Sequence, residues 1–172
     1  MDPARIHIFL NYIPLLGMIL GIALLLYGML RPDSYVMRAS QGLFVVTALV
    51  TLAVYATGEI AGKGAHLMSG PPWTNIVAHR TSALPTFVAI ELTGVFALVG
   101  LIGTIWGKAL ARWNAVVVLI LAIASLVLAA RTTHIGRQIF VLSASFATLS
   151  ITAHPSKIDR KDHNTEKKLW LA

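Results

Sequence analysis

The stretch LPTFVAIELTGVFALVGLIGTIW, Leu84 to Trp106, decides the fold. It carries a single ionisable side chain, Glu91, near its middle. A helix needs about 20 apolar residues to cross a hydrocarbon core about 30 Å thick, and this stretch meets that length. Three others do as well: Ile8 to Leu30, Ala39 to Ile60 and Trp113 to Ala130. Charge bounds each of them. Arg31-Pro32-Asp33 closes the first, Arg38 precedes the second and Lys63 follows it, His79-Arg80 precedes the third, and Lys108 with Arg112 separates the third from the fourth. The reading is all-α: a polytopic membrane four-helix up-down bundle, its antiparallel neighbours forced by the short connections around Arg31 to Arg38 and Gly107 to Arg112. The first span is too long for a cleavable signal sequence and lacks a small-residue cleavage pattern before Arg31, so it is expected to stay in the mature chain.

Composition agrees. The chain is 56% hydrophobic and 12% charged, with a mean hydropathy of +0.74; a soluble domain carries about 25% charged residues. The net charge of +7 does not indicate nucleic acid, because the cations sit in short loops and one tail, where they face lipid head groups. The absence of cysteine excludes disulfides, thiolate metal sites and cysteine nucleophiles, so redox chemistry here requires a bound cofactor. No nucleophile with a base and orienting acid, no HExxH and no phosphate loop is present, which leaves no basis for an enzyme acting alone.

Let side A be the membrane face of the N-terminus and side B the other. The connections near residues 31–38 and 107–112 then lie on B, and residues 61–79 and 131–137 on A. Trp73 on A, and Trp106 and Trp113 on B, suit interfacial anchors. Three segments follow: a four-helix bundle over 1–137, an apolar but Ser/Thr-rich run over 138–153, and a polar basic tail over 154–172 expected to be disordered. The middle segment reads equally as a short fifth span or as an interfacial amphipathic helix, with Ile139, Leu142, Phe146 and Leu149 at helical spacing. Orientation turns on it. If it crosses, B holds nine Lys/Arg against five on A; if it does not, A holds ten against four and faces the cytoplasm.

Polar groups inside the apolar spans mark function by default. Glu91 sits near mid-depth with no opposite charge within a turn, so it is either protonated or paired with another helix. Glu59 lies near the A end of the second span, with Lys63 at i,i+4 as an ion-pair partner. His7, His66, His79 and His134 all fall on side A, where two neutral imidazoles from different helices suit a non-covalent b-type haem, a metal or a quinone site. Arg131, one turn before His134, suits a charge partner for Glu59, or a contact for an anionic lipid, a quinone or a haem propionate, and equally a cation at a helix end. Gly17-x-x-x-Gly21 and Gly103-x-x-x-Gly107 read as helix-packing surfaces. No internal repeat is detectable along the chain, which counts against a transporter.

The order Ile6-His7-Ile8-Phe9-Leu10-Asn11-Tyr12-Ile13-Pro14, Thr57-Gly58-Glu59, Ala78-His79-Arg80 and Ala130-Arg131-Thr132-Thr133-His134-Ile135-Gly136-Arg137-Gln138-Ile139 resembles small uncharacterised bacterial four-helix membrane proteins. These carry an N-terminal His-x-x-x-Asn-His-x-Pro, a Thr-Gly-Glu, a histidine before helix three, and an Arg-Thr-Ala-Asn-Leu-Gly-Gly-x-Ile-Arg-His ending. The resemblance covers about residues 6–139 and implies a cofactor-binding or redox-accessory role in a bacterial inner membrane. His7, Asn11, Pro14, Glu59, His79, Arg131 and Gly136 match that pattern. Tyr12, Arg137 and the pair Phe140-Val141 depart from it, which removes two potential ligands.

Three functions follow, in order. The first is an accessory or anchor subunit of a larger, electron-transfer membrane complex, its partners the bilayer and other membrane subunits. The second is a b-type haem or quinone-binding cytochrome using His7, His79 and His134 with Glu59 and Arg131. The third is a small proton or ion carrier centred on Glu91.

Overall fold

The computed structural model describes residues 7, 9–31, 33–65, 73–105 and 111–153, with 61, 63–65, 73, 105, 111–112 and 139–153 as backbone alone. His66, Trp106 and the 154–172 tail lie outside the described residues. Four helices make up the fold: α1 (Tyr12–Leu30), α2 (Ser34–Ala65), α3 (Trp73–Ile105) and α4 (Ala111–Ala153). Each is long and apolar enough to cross a membrane. They form a closed ring in which α1 packs on α2, α2 on α3, α3 on α4 and α4 back on α1. The arrangement is the expected four-helix up-down bundle.

The helices outrun the apolar spans. Hydropathy marks only the part immersed in lipid, whereas the hydrogen-bonded backbone continues wherever nothing interrupts it. The α1–α2 connection shrinks to a tight turn, because Asp33 caps α2 by accepting from the amides of Tyr35 at 2.8 Å and Val36 at 3.3 Å. A helical turn leads into α1, its Asn11 amide donating to the His7 carbonyl at 2.9 Å.

The expected separate fifth or interfacial helix over 138–153 is not a separate element: α4 continues through it as one helix of 43 residues, about 64 Å at 1.5 Å per residue. No proline interrupts it before Ala153, and Pro155 follows just beyond, where the residue before a proline resists helical geometry.

Lipid-facing and inward-facing surfaces divide sharply. Leu16, Leu30, Leu49, Ile120 and Val127 are exposed on the outside. The interior combines Met18, Leu25, Phe44, Ile90 and Val118 with alanines and a nearly equal set of buried polar residues, including Thr47, Thr51, Thr86, Thr93, Ser125 and Thr132. In hydrocarbon, oily side chains gain nothing by leaving the lipid. Association therefore rests on close packing and interhelical hydrogen bonds. Phe44 sits against Gly21 and Thr47 against Gly17, so the first GxxxG stripe does pack helices. Thr86 and Thr132 pair at 2.8 Å, and Thr93 and Ser125 at 3.0 Å, tying α3 to α4.

The structure also corrects the reading of no internal repeat. Shifting α1 by 72 positions carries its buried residues Pro14, Met18, Gly21, Leu25 and Gly28 onto Thr86, Ile90, Thr93, Ala97 and Gly100, all buried in α3. A shift of 78 positions carries Ser40, Phe44, Thr47, Thr51 and Val54 of α2 onto Val118, Ala122, Ser125, Ala129 and Thr132, all buried in α4. The two hairpins are equivalent about an axis along the bundle, like parallel repeats in membrane transport folds. The repeat lies in the burial register and hardly in residue identity.

Gly100 marks the tightest approach. A Cβ there would run into the Asn114 amide oxygen and lie 2.6 Å from Nε2 of Gln41, whereas at Gly103 it would meet nothing within 4 Å among the described residues. Overpacking a filled core costs about 1–3 kcal/mol. Gly100→Ala is therefore expected to lower the melting temperature in detergent by several degrees while Gly103→Ala leaves it unchanged, as read by a fluorescence or light-scattering melt.

Candidate functional site: two histidines at the side A mouth of the bundle

His7 lies just before α1 and His79 in the second turn of α3. These helices are diagonal in the ring, yet the two imidazoles meet near the bundle axis with ring centroids 6.3 Å apart and planes at 77°. Each ring is anchored to the helix that follows its own. His7 donates from Nδ1 to the Val54 carbonyl of α2 at 3.0 Å, and its ring lies on Gly58, where a Cβ would come within 2.8 Å of Cε1. His79 donates from Nδ1 to the Thr132 carbonyl of α4 at 3.1 Å, and its ring lies on Gly136, where a Cβ would come within 3.1 Å of Cε1. In both cases the glycine stands four residues after the carbonyl. The two histidines are equivalents under the repeat, and the axis passes between them.

The chemistry follows from the tautomer. A backbone carbonyl accepts only, so each Nδ1 carries the proton and each Nε2 keeps its lone pair. A ligating histidine is oriented in this way, its second nitrogen donating to a carbonyl behind it. Two imidazole nitrogens about 2 Å either side of one metal ion place the ring centroids roughly 6 Å apart, close to the separation seen here. No group of three or more His, Cys, Asp or Glu converges among the described residues. The pair thus suits an ion whose other ligands come from elsewhere.

Glu59 follows Gly58, and Arg80 follows His79. Their side chains form an ion pair at 2.8 Å that closes the α2–α3 seam beside the histidines. Both are partly exposed, so the pair contributes at most about 1 kcal/mol; its consequence is positional. The expected partners of Glu59 were Lys63 and Arg131; the side chain of Lys63 lies outside the described residues, and Arg131 points elsewhere. It lines a groove of about 260 Å³ between α3 and α4 with Thr81, Ser82, Pro85 and Leu128. His134 is exposed, its Nε2 3.4 Å from the Gln138 amide nitrogen, and it does not join the histidine pair. Glu91 is half-buried in mid-α3, with an oxygen that is enclosed yet has no hydrogen-bond partner among the described residues. Its equivalent in the first repeat is Ile19, exposed to lipid, which places Glu91 off the axis.

Comparisons with protein-family models, curated proteins and solved structures give no match.

The sequence reading passed over a second polar centre near side B. Gln41 is fully buried with neither amide atom hydrogen-bonded among the described residues, and it faces the Asn114 oxygen across Gly100. Asn114 donates to the Phe96 carbonyl at 3.0 Å, and Arg38 to the Thr104 carbonyl at 3.2 Å. An amide within an apolar span, costly unless partnered, is the signal that would have found both.

Burial pushes the His7 imidazole below its usual pKa, and the bond to the Val54 carbonyl only partly offsets this. A depressed histidine favours the fold above its unfolded value of about 6.5, and that contribution is lost as the pH falls through the lower folded value. In cofactor-free protein, thermal stability is expected to hold from pH 8 to 7 and fall below about 6.5. His7→Asn, which keeps a donor without titrating, should flatten that profile; an unchanged profile would separate the effect from His7.

Proposed function

We propose that this protein is a membrane b-type haem protein in which His7 and His79 ligate one iron through their Nε2 atoms. The observation that carries the reading is the double anchoring of the pair, which commits both Nδ1 protons to backbone carbonyls and leaves both Nε2 lone pairs free of those bonds, on rings whose centroids are 6.3 Å apart. Haem suits a site with two protein ligands, since the macrocycle supplies the other four. When bound, it would supply one-electron chemistry; the chain's own part is to set the tautomers, hold the rings and keep the mouth of the bundle closed at Glu59–Arg80.

The site also fits the expected place in an electron-transfer complex. Helix α4 runs on from Gln138 to Ala153 as about 22 Å of further helix with an apolar, Ser/Thr-rich sequence, in keeping with a docking surface for a partner subunit. Since α4 is continuous to Ala153, this reading counts the basic tail on side A. A ten-to-four excess of Lys/Arg on side A, counted with the tail, favours a reading in which side A faces the cytoplasm of a bacterial inner membrane.

A dithionite-reduced minus oxidised optical spectrum of protein purified from its native membrane tests the function. The expected result is a b-type difference signal that is lost in His79→Ala and in His7→Ala but kept in His134→Ala. A flat spectrum in folded wild-type protein that also fails to take up added haem overturns the reading. Orientation is tested separately with single cysteines at Ser34 on side B and Thr81 on side A: only the former should react with an impermeant maleimide on intact cells.

A further inference from the structure

The α3–α4 seam on side A carries polar groups that its counterpart in the other hairpin lacks. It opens into a groove of about 260 Å³ lined by Thr81, Ser82, Pro85, Leu128 and Arg131, among others. The positions equivalent to these five in the first hairpin are Phe9, Leu10, Ile13, Val50 and Ala53, all apolar. The helix frame therefore needs neither a cation nor a hydroxyl at this level, and the second hairpin has both.

The polar atoms of the groove divide by role. Arg131 is exposed near the side A end of the α4 span, and a guanidinium donates without accepting. The Thr81 hydroxyl hydrogen is spent on its own helix, on the Val77 and Ala78 carbonyls at 3.0 Å, and that of Ser82 on the His79 carbonyl at 2.9 Å. Both oxygens keep lone pairs. Pro85 adds a further acceptor, because it has no N–H to give the Thr81 carbonyl four residues before it, and residues 81 and 85 both face the groove. Toward mid-membrane, Pro85 and Leu128 make the lining apolar. Arg80, next to Thr81, holds Glu59 at the same level, which marks the depth as that of the lipid head groups.

We propose that this groove binds an anionic phospholipid of the phosphatidylglycerol class. Its phosphate meets Arg131, its glycerol hydroxyls donate to the Thr81 and Ser82 oxygens, and an acyl chain lies along Pro85 and Leu128. A guanidinium meets phosphate oxygens through parallel N–H donors, whereas a zwitterionic head group brings a second cation that opposes the contact. The acceptors select the rest of the head group, because an ionised phosphodiester has no donor of its own and the glycerol supplies hydroxyls. The site does not involve Nε2 of His7 or His79, and it stands or falls apart from the haem reading.

Native mass spectrometry of the full-length protein, delipidated in detergent and titrated with defined lipids, provides the test. Wild type is expected to bind phosphatidylglycerol about fivefold more tightly than phosphatidylcholine. Phosphatidylmethanol, which keeps the anionic phosphodiester and lacks the glycerol, should fall between them. Arg131→Gln should lose the preference for phosphatidylglycerol, while Arg137→Gln, which removes the same charge from an exposed position further along α4, should keep it. Thr81→Val should narrow the gap between the two anionic lipids. An unchanged preference in Arg131→Gln overturns the site. So does an equal loss in Arg131→Gln and Arg137→Gln, which is attraction to a basic face at large, or equal binding of all three lipids by wild type, which is acyl-chain contact alone. Phosphatidylmethanol that binds wild type as tightly as phosphatidylglycerol overturns the role of the acceptors and with it the lipid class.

Discussion

A carbonyl followed four residues later by glycine is the constraint on which side A depends. In an α-helix each Cβ tilts toward the N-terminus, so the side chain at i+4 overhangs the carbonyl at i and shields it from neighbours. Removing that side chain at Gly58 and Gly136 opens the Val54 and Thr132 carbonyls to a ring from outside the helix. The imidazole then does two things at once. It draws its own segment against the next helix, and it commits its proton to Nδ1. Tautomer, ring position and helix approach are consequences of one local pattern used twice.

The bilayer sets the terms for the rest of the interior. Because lipid is as apolar as leucine, a core of large aliphatics alone would not hold these helices together. Small residues and hydroxyls do so instead. Gly94 admits the methyl of Ala48, and the serine and threonine hydroxyls inside the bundle donate back to their own helices or across to a neighbour. Glycine appears wherever a bulky or polar partner needs space: Gly21 under Phe44, Gly17 under Thr47, Gly100 under the Gln41 and Asn114 amides. Bundle geometry and site geometry thus draw on the same device.

Hydropathy made the four spans legible, because membrane thickness imposes a length that composition alone reveals. It understated the helices, since Ser34–Arg38 and Trp73–Ala83 belong to α2 and α3 by backbone hydrogen bonding and contribute little apolar signal. The gathering of histidines on side A was legible too, from helix direction. What could not be read was which two meet. His79 and His134 lie at the same level, but His79 faces the axis while His134 faces out, and a side count carries no rotation. Nor was the repeat legible, because equivalent positions keep burial while changing residue type, as Met18 and Ile90 or Leu25 and Ala97 do. Packing in lipid constrains size and fit at each level of the bundle, and many residue types satisfy it.

The repeat gives a means of separating architecture from chemistry within a single chain. Positions that stay identical between the hairpins, His7 with His79, Gly58 with Gly136 and Gly28 with Gly100, serve the symmetric frame. Most ionisable side chains in and around the spans break the symmetry: Glu59 against Arg137, Arg80 against Ile8, Arg131 against Ala53, and Glu91 against lipid-facing Ile19. The amides do the same, Gln41 standing against Leu119 and Asn114 against Val36. A charge or amide in hydrocarbon is costly. A frame that closes equally well with an apolar residue at the equivalent position does not need it there. The symmetric frame itself, then, does not call for them. On side A the Glu59–Arg80 pair closes one seam beside an otherwise symmetric pair of imidazoles, and a symmetric pair acquires a direction only through such a difference.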